Sequence, residues 1–178
     1  LYVAGVFNQT KTPVADRIVV NEDLVNLPNP QLIQTWINNQ ALDEHNVTSR
    51  ESHLSFKTGE LFETFTFEIA EGPVTVKTTK LVDPIDWHQI GLTFELEAGF
   101  PAQVTLRSVI DGSVTNQNVK RYRDFDAQEF DVSDIDAANR QVYVQTRQSG
   151  IRIGIGAETH VSQQNKLVAG LVEATENQ

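Results

Sequence analysis

The chain has no cysteine, which excludes disulfides and thiol catalysis but leaves its compartment open. It has no apolar run near the ~20 residues that span a bilayer as a helix. Nor does it open with the charged start and apolar middle of a signal peptide. Its first residue is Leu1 rather than Met, inside an apolar stretch, which reads as a fragment or a processed product. Positive charge is scarce: 14 Lys and Arg face 24 Asp and Glu, for a net charge of -10. Those cations are scattered, so polyanionic nucleic acid and anionic membranes are repelled and excluded as partners. Neutral partners, such as sugars or other protein domains, remain open.

What is present suits one folded domain. At 178 residues the chain can bury a core without staples, and nine Phe, two Trp and three Tyr argue against disorder. Apolar residues recur with period two. Phe65, Phe67 and Ile69 alternate with Thr66 and Glu68, and Leu92, Phe94 and Leu96 alternate with Thr93 and Glu95. Val104, Leu106 and Ile110 share one side of their run, opposite Thr105 and Arg107. Val142, Val144 and Thr146 oppose Tyr143, Gln145 and Arg147, and Ile151, Ile153 and Ile155 oppose Arg152 and Gly154. Each run predicts a strand with one dry and one wet face, which is the pattern of antiparallel sheets. Turn signals separate them at Thr58-Gly59, Gly72-Pro73, Gly99 to Pro101, Asp111-Gly112 and Ser149-Gly150. Asp111-Gly112 predicts a hairpin between Val104–Ile110 and Val114–Val119.

Helical pattern is thin. Leu32, Ile33 and Trp36 fit a short helix or an irregular connection over Asn29 to Asn38, and Ser133 can cap a turn of helix to Asn139. Lys166 to Ala174 fits a helical face as well as a buried strand. The expectation is a single all-β domain over residues 1–178, an antiparallel β-sandwich with one or two short helical turns and two sheets packed on their dry faces.

Candidate chemistry is sparse. A glycosidase needs two carboxylates ~5–10 Å apart, one kept protonated. Asp83, Asp86, Asp111, Asp124, Asp126 and Glu129 are available, but acids in turns of so acidic a chain read as solvated turn formers. His45, His53, His88 and His160 lack metal-ligand spacing, and His88 reads as a sheet-edge residue beside Trp87. Asp124, Asp126 and Glu129 cluster like calcium ligands without the EF-hand loop, so neither metal nor cofactor is expected. No nucleophile elbow is present, and Gly154-Ile155-Gly156 lacks the third glycine of a nucleotide loop; its small residues read as room for another backbone. Sugar binding uses exposed aromatic faces, for which Trp36, Trp87, Tyr122 and Tyr143 are the candidates; Tyr143 lies on the polar side of its strand. Two glycosylation triplets start at Asn8 and Asn46.

Four segments, in order, then carry a resemblance. They are Tyr2 to Asn8 (YVAGVFN), Asp23 to Asn29 (DLVNLPN), Leu54 to Leu61 (LSFKTGEL) and Ser108 to Asn116 (SVIDGSVTN). Together they resemble the N-terminal domain of glycoside hydrolase family 65, over roughly residues 1 to 160. That family includes maltose, trehalose and kojibiose phosphorylases and acid trehalases. Ser55 stands where the family has Asp, Pro30 where an aromatic is common, and Lys80 where Arg is expected. The resemblance implies a sandwich of the super-sandwich type, without catalytic residues of its own. It would pack against an (α/α)6 catalytic barrel that these residues do not contain, and a homodimer is compatible with it. It implies a cytoplasmic place for a bacterial phosphorylase and a secreted one for an acid trehalase. The other reading is a free-standing carbohydrate-binding sandwich.

Overall fold

The computed structural model describes residues 3–116, 129–163 and 166–168. Among them there is no helix, and the strand pairings form antiparallel ladders. The fold is therefore all-β, as the alternation predicts. The expected helical turns are absent from the described residues. Asn29–Ile37 is a strand, and Ser133 lies inside the strand Phe130–Asp136. Lys166–Val168 is also a strand, while residues 169–178 lie outside the description.

The chain divides into two compact units, one made of residues 1–32 with 108–178, the other of residues 33–107. In the first, β1 (Phe7–Val14) and β2 (Arg17–Leu24) form a hairpin closed by Ala15 and Asp16, with Ala15 at a φ of 52°. The strands β10 (Phe130–Asp136), β11 (Gln141–Thr146) and β12 (Arg152–Gly156) follow one another in a three-stranded sheet, and β13 (Val161–Gln163) pairs with β14 (Lys166–Val168). Val25, Leu27, Phe130, Val144 and Ile155 form the core of this unit, with Val3, Val6, Ile110, Val142 and Ile153 against them.

The second unit is built on a four-stranded meander, β5 (Val47–Leu54), β6 (Leu61–Ile69), β7 (Gly72–Val82) and β8 (Ile90–Ala98). Its register puts Glu63, Phe65, Phe67, Ile69, Val74 and Val76 on one face. Part of that face, with Ile69 and Val74, meets Ile37, Leu42 and Phe100 in a second core. β3 (Asn29–Ile37) lies between β4 (Gln40–Ala41) and β9 (Val104–Asp111) in a further sheet. The hairpin predicted at Asp111-Gly112 is not seen among the described residues: residues 112–116 are not in a strand, and residues 117–119 of its predicted second strand lie outside the description, with the rest of 117–128. Asp111 does cap its turn, accepting hydrogen bonds from the Ser113 amide and hydroxyl.

Candidate functional site

The four sequence motifs have local physical reasons. Three of them meet in the core of the first unit. The Val25 amide donates to the Val6 carbonyl and the Leu27 amide to the Val3 carbonyl, which pairs YVAGVF with DLVNLPN. Asn116, from SVIDGSVTN, fastens this pair. Its Oδ1 accepts the Asn26 amide at 3.0 Å, and its Nδ2 donates to the Leu24 carbonyl at 2.9 Å. Asn26 returns a bond from Nδ2 to the Thr115 carbonyl. Asn116 is only 5% exposed, so each bond replaces one that water cannot supply. The fourth motif, LSFKTGEL, is the turn between β5 and β6. Ser55 Oγ accepts the Thr58 amide and hydroxyl, while Gly59, at a φ of 77°, donates its amide to the Ser55 carbonyl. An Asp at position 55 would accept the same bonds, so Ser55 keeps the turn.

That turn shares one end of the meander with the β7–β8 loop, residues 83–89, because Leu61 pairs with Lys80 and Val82 with Ile90. The loop is tightly bonded within itself. Asp83 Oδ1 accepts the amides of Ile85 and Asp86, and the Asp83 amide donates to the Gln89 carbonyl. Asp86 accepts the Gln89 side-chain amide and both the amide and Nδ1 of His88. These bonds, that from Gln89 first, hold the Asp86 carboxyl below the usual aspartate range. The loop nevertheless presents apolar groups to solvent: Ile85 is 93% exposed, Trp87 66%, and Phe56 on the neighbouring turn 95%. His88 is a loop residue with its ring tilted by 32° against Trp87 at 3.6 Å between ring centres, not the sheet-edge residue its sequence suggests.

The aromatic candidates scatter. Trp36 lies in β3, half-buried, with the Arg107 guanidinium 5.5 Å from its ring centre. Tyr143 lies in β11, 37% exposed, its ring against Gly154 and its hydroxyl donating to Gln141. A Cβ on Gly154 would stand 3.0 Å from Tyr143 Cε1, so the glycine makes room for a ring rather than for another backbone. Tyr122 lies outside the described residues. The Asn8 triplet is closed to modification, since Asn8 is 2% exposed, donates to Glu129 at 2.6 Å and accepts the amides of Gln148 and Ser149.

The described candidate acids are held in structural bonds: Asp83, Asp86 and Asp111 in their turns and Glu129 by Asn8. Glu63, 6% exposed, sits between Arg50 at 2.7 Å and Lys80 at 2.9 Å. Burial alone would raise its pKa, but the hydrogen bonds and charges of Lys80 and Arg50 outweigh burial and lower it. A general acid needs the opposite shift. Lys80 thus does the work expected of an Arg there. Asp124 and Asp126 lie outside the described residues, and among those described no three His, Asp or Glu group as metal ligands. A shallow, open depression of about 250 Å³ lies beside the Asp131–Arg147 ion pair of the first unit, lined by Ser133, Gln145 and Gly150.

Residues 1–178 match a family described as glycosyl hydrolase family 65, N-terminal domain. The chain is 41% identical over 162 residues to the trehalose 6-phosphate phosphorylase of Lactococcus lactis subsp. lactis (strain IL1403), an alignment covering 91% of this chain and 21% of that protein. It is 31% identical over 165 residues to an uncharacterized glycosyl hydrolase of Mycobacterium tuberculosis (strain ATCC 25618 / H37Rv), covering 89% of this chain and 12% of that protein. The chain thus spans between an eighth and about a fifth of these relatives.

Proposed function

We propose, from the fact that the chain belongs to the glycosyl hydrolase family 65 N-terminal domains, that it braces the catalytic part of a larger enzyme and performs no chemistry itself. The parent enzyme cleaves an α-glucosidic disaccharide, with trehalose 6-phosphate the first substrate to test, given the relative at 41% identity. The observation that carries the reading is the rigid end of the meander. Phe56, Ile85 and Trp87 are among its most exposed side chains, on turns fastened by their own hydrogen bonds. A preformed apolar surface loses little entropy when covered, which suits permanent packing against a neighbouring domain. The described acids support the same role, since Glu63 and Asp86 are held ionised by partners inside their own sheet and loop.

The 178-residue chain is expected to release no glucose or glucose phosphate from trehalose 6-phosphate, trehalose or maltose, with or without phosphate. Turnover by chromatographically homogeneous chain would overturn the reading. A second reading, a free-standing sugar-binding module, draws on the 66% exposure of Trp87. Saturable quenching of tryptophan fluorescence by glucosides, lost in Trp87→Ala, would favour it instead.

A further inference from the structure

The β1–β2 hairpin has two unlike faces. Its register pairs Phe7 with Leu24, Gln9 with Glu22, Lys11 with Val20 and Pro13 with Ile18, and alternation places these eight on one side. Asn8 and Asp23, on the other side, are buried at 2% and 7%. The first side is open: Phe7 is 55% exposed, Ile18 68%, Val20 52% and Leu24 48%. A lone two-stranded ribbon is marginal in water. This one is nonetheless fastened along β1, where the Gln9 amide donates to Ser149 Oγ and the Lys11 amide to Gln148 Oε1. It is therefore held in place with about half or more of each of these four apolar side chains exposed. Only the Gln9–Glu22 hydrogen bond, at 2.8 Å, and the Lys11 ammonium interrupt that side.

We propose that this apolar side of the hairpin is covered by the catalytic part of the same polypeptide, through an apolar strip that sets a carboxylate against Lys11. The inference rests on the bracing role proposed above and adds a second contact to it. The size of the face decides between a tethered and a free occupant. Eight residues at ~3.3 Å each make each strand ~26 Å long, and two strands ~4.8 Å apart make the ribbon ~10 Å wide, a face of roughly 250 Å². A stable complex of separate molecules covers about 800 Å² on each partner. A free partner or a second copy would thus be held weakly by this face alone. A tethered segment meets it at an effective concentration of the order of millimolar and avoids most of the association cost. Length is available for such an occupant, since the matched regions are only 21% and 12% of the two relatives.

Hydrogen exchange on the 178-residue chain and on the complete polypeptide tests this. Amides of residues 7–24 should exchange at least tenfold more slowly in the complete polypeptide. The double variant Ile18→Ser, Val20→Ser should leave the melting temperature of the isolated chain within about a degree and lower that of the complete polypeptide by several degrees. Lys11→Glu should do the same to a smaller extent. Equal exchange in both forms, no change in the complete polypeptide, or an isolated chain that dimerises through this face would each overturn the inference. Ile85→Ser with Trp87→Ser is the parallel control. If that pair destabilises the complete polypeptide and the hairpin pair does not, bracing stands and the hairpin contact falls; if neither does, both fall.

Discussion

Replacing Gly154 by alanine should destabilise the protein, and should do the reverse once Tyr143 has been removed. The two residues are direct partners in the β11–β12 ladder. A Cβ on Gly154 would lie 3.0 Å from Tyr143 Cε1 and 3.2 Å from Cδ1, well inside the ~3.5–4.0 Å at which carbon atoms rest. The ring must then give way by a few tenths of an ångström. At 37% exposure it has solvent to swing into, so the cost stays at the low end of the ~1–3 kcal/mol typical of overpacking. Against that stands the ~0.4–1 kcal/mol that Gly→Ala gains by restricting the unfolded chain. The net expectation is a loss of about 1 kcal/mol. In a Tyr143→Ala background the obstacle is gone and the same substitution should gain about 0.5 kcal/mol, a coupling of about 1.5 kcal/mol. Urea denaturation of the four proteins, read by far-UV circular dichroism, measures both signs. If Gly154→Ala shifts the midpoint equally in both backgrounds, the ring is not what the glycine accommodates.

Three further predictions follow from buried polar groups and one turn. Asn116→Ala should cost about 2–4 kcal/mol by calorimetry, because it orphans the Asn26 amide and the Leu24 carbonyl together; Asn116→Asp, which cannot donate to Leu24, should recover little, and full recovery would contradict the latch. Glu63 has a lowered folded pKa, so its stabilising share is complete above the ordinary glutamate range and is lost as pH falls through the folded value. Lys80→Met should remove about 2–3 kcal/mol at neutral pH and shrink the part of the stability that is lost on acidification; an acid-dependent loss as large as before would show that Lys80 does not hold the charge. Gly59→Ala should cost about 1–2 kcal/mol through its backbone alone, since the nearest atom to an added Cβ is Leu81 Cδ1 at 3.7 Å, an ordinary contact. Gly59→Asn should cost less, and an equal loss would point to sterics instead.

Most strands that announce themselves in the sequence have a real dry side; β9 is the exception, since Val104 and Leu106 alternate with polar residues yet are exposed at 43% and 37%. β6, β8 and β11 alternate cleanly, and their inward residues are the covered ones. β5 is invisible because VTSRESHL, an edge strand exposed along its length, has no apolar rhythm to read. β3 passes for a helix because Leu32, Ile33 and Trp36 fall on both of its faces; its buried residues are Thr35 and Ile37. β10 hides for another reason. Ladder pairing jumps from Val132–Val144 to Asp134–Tyr143, so the bulge at Ser133 breaks the period. The β1–β2 turn uses Ala15 at positive φ, where sequence reasoning looks for glycine or asparagine. Of the site, the motif residues were legible, and Trp87 only as one of four aromatic candidates. The bonds that fix them were not, because Asn26 meets Asn116 across 90 residues and no local pattern encodes that meeting.

The discontinuity of the first unit has a consequence for synthesis. Residues 33–107 are contiguous, and their meander pairs each strand with the next, so this part can close as soon as it leaves the ribosome. The other core joins Val3, Val6 and Val25 to Val144 and Ile155. The amino-terminal segment must therefore wait, with its valines unsheltered, until more than a hundred further residues have been made. Nascent chains stalled between these two lengths are where chaperones should bind most.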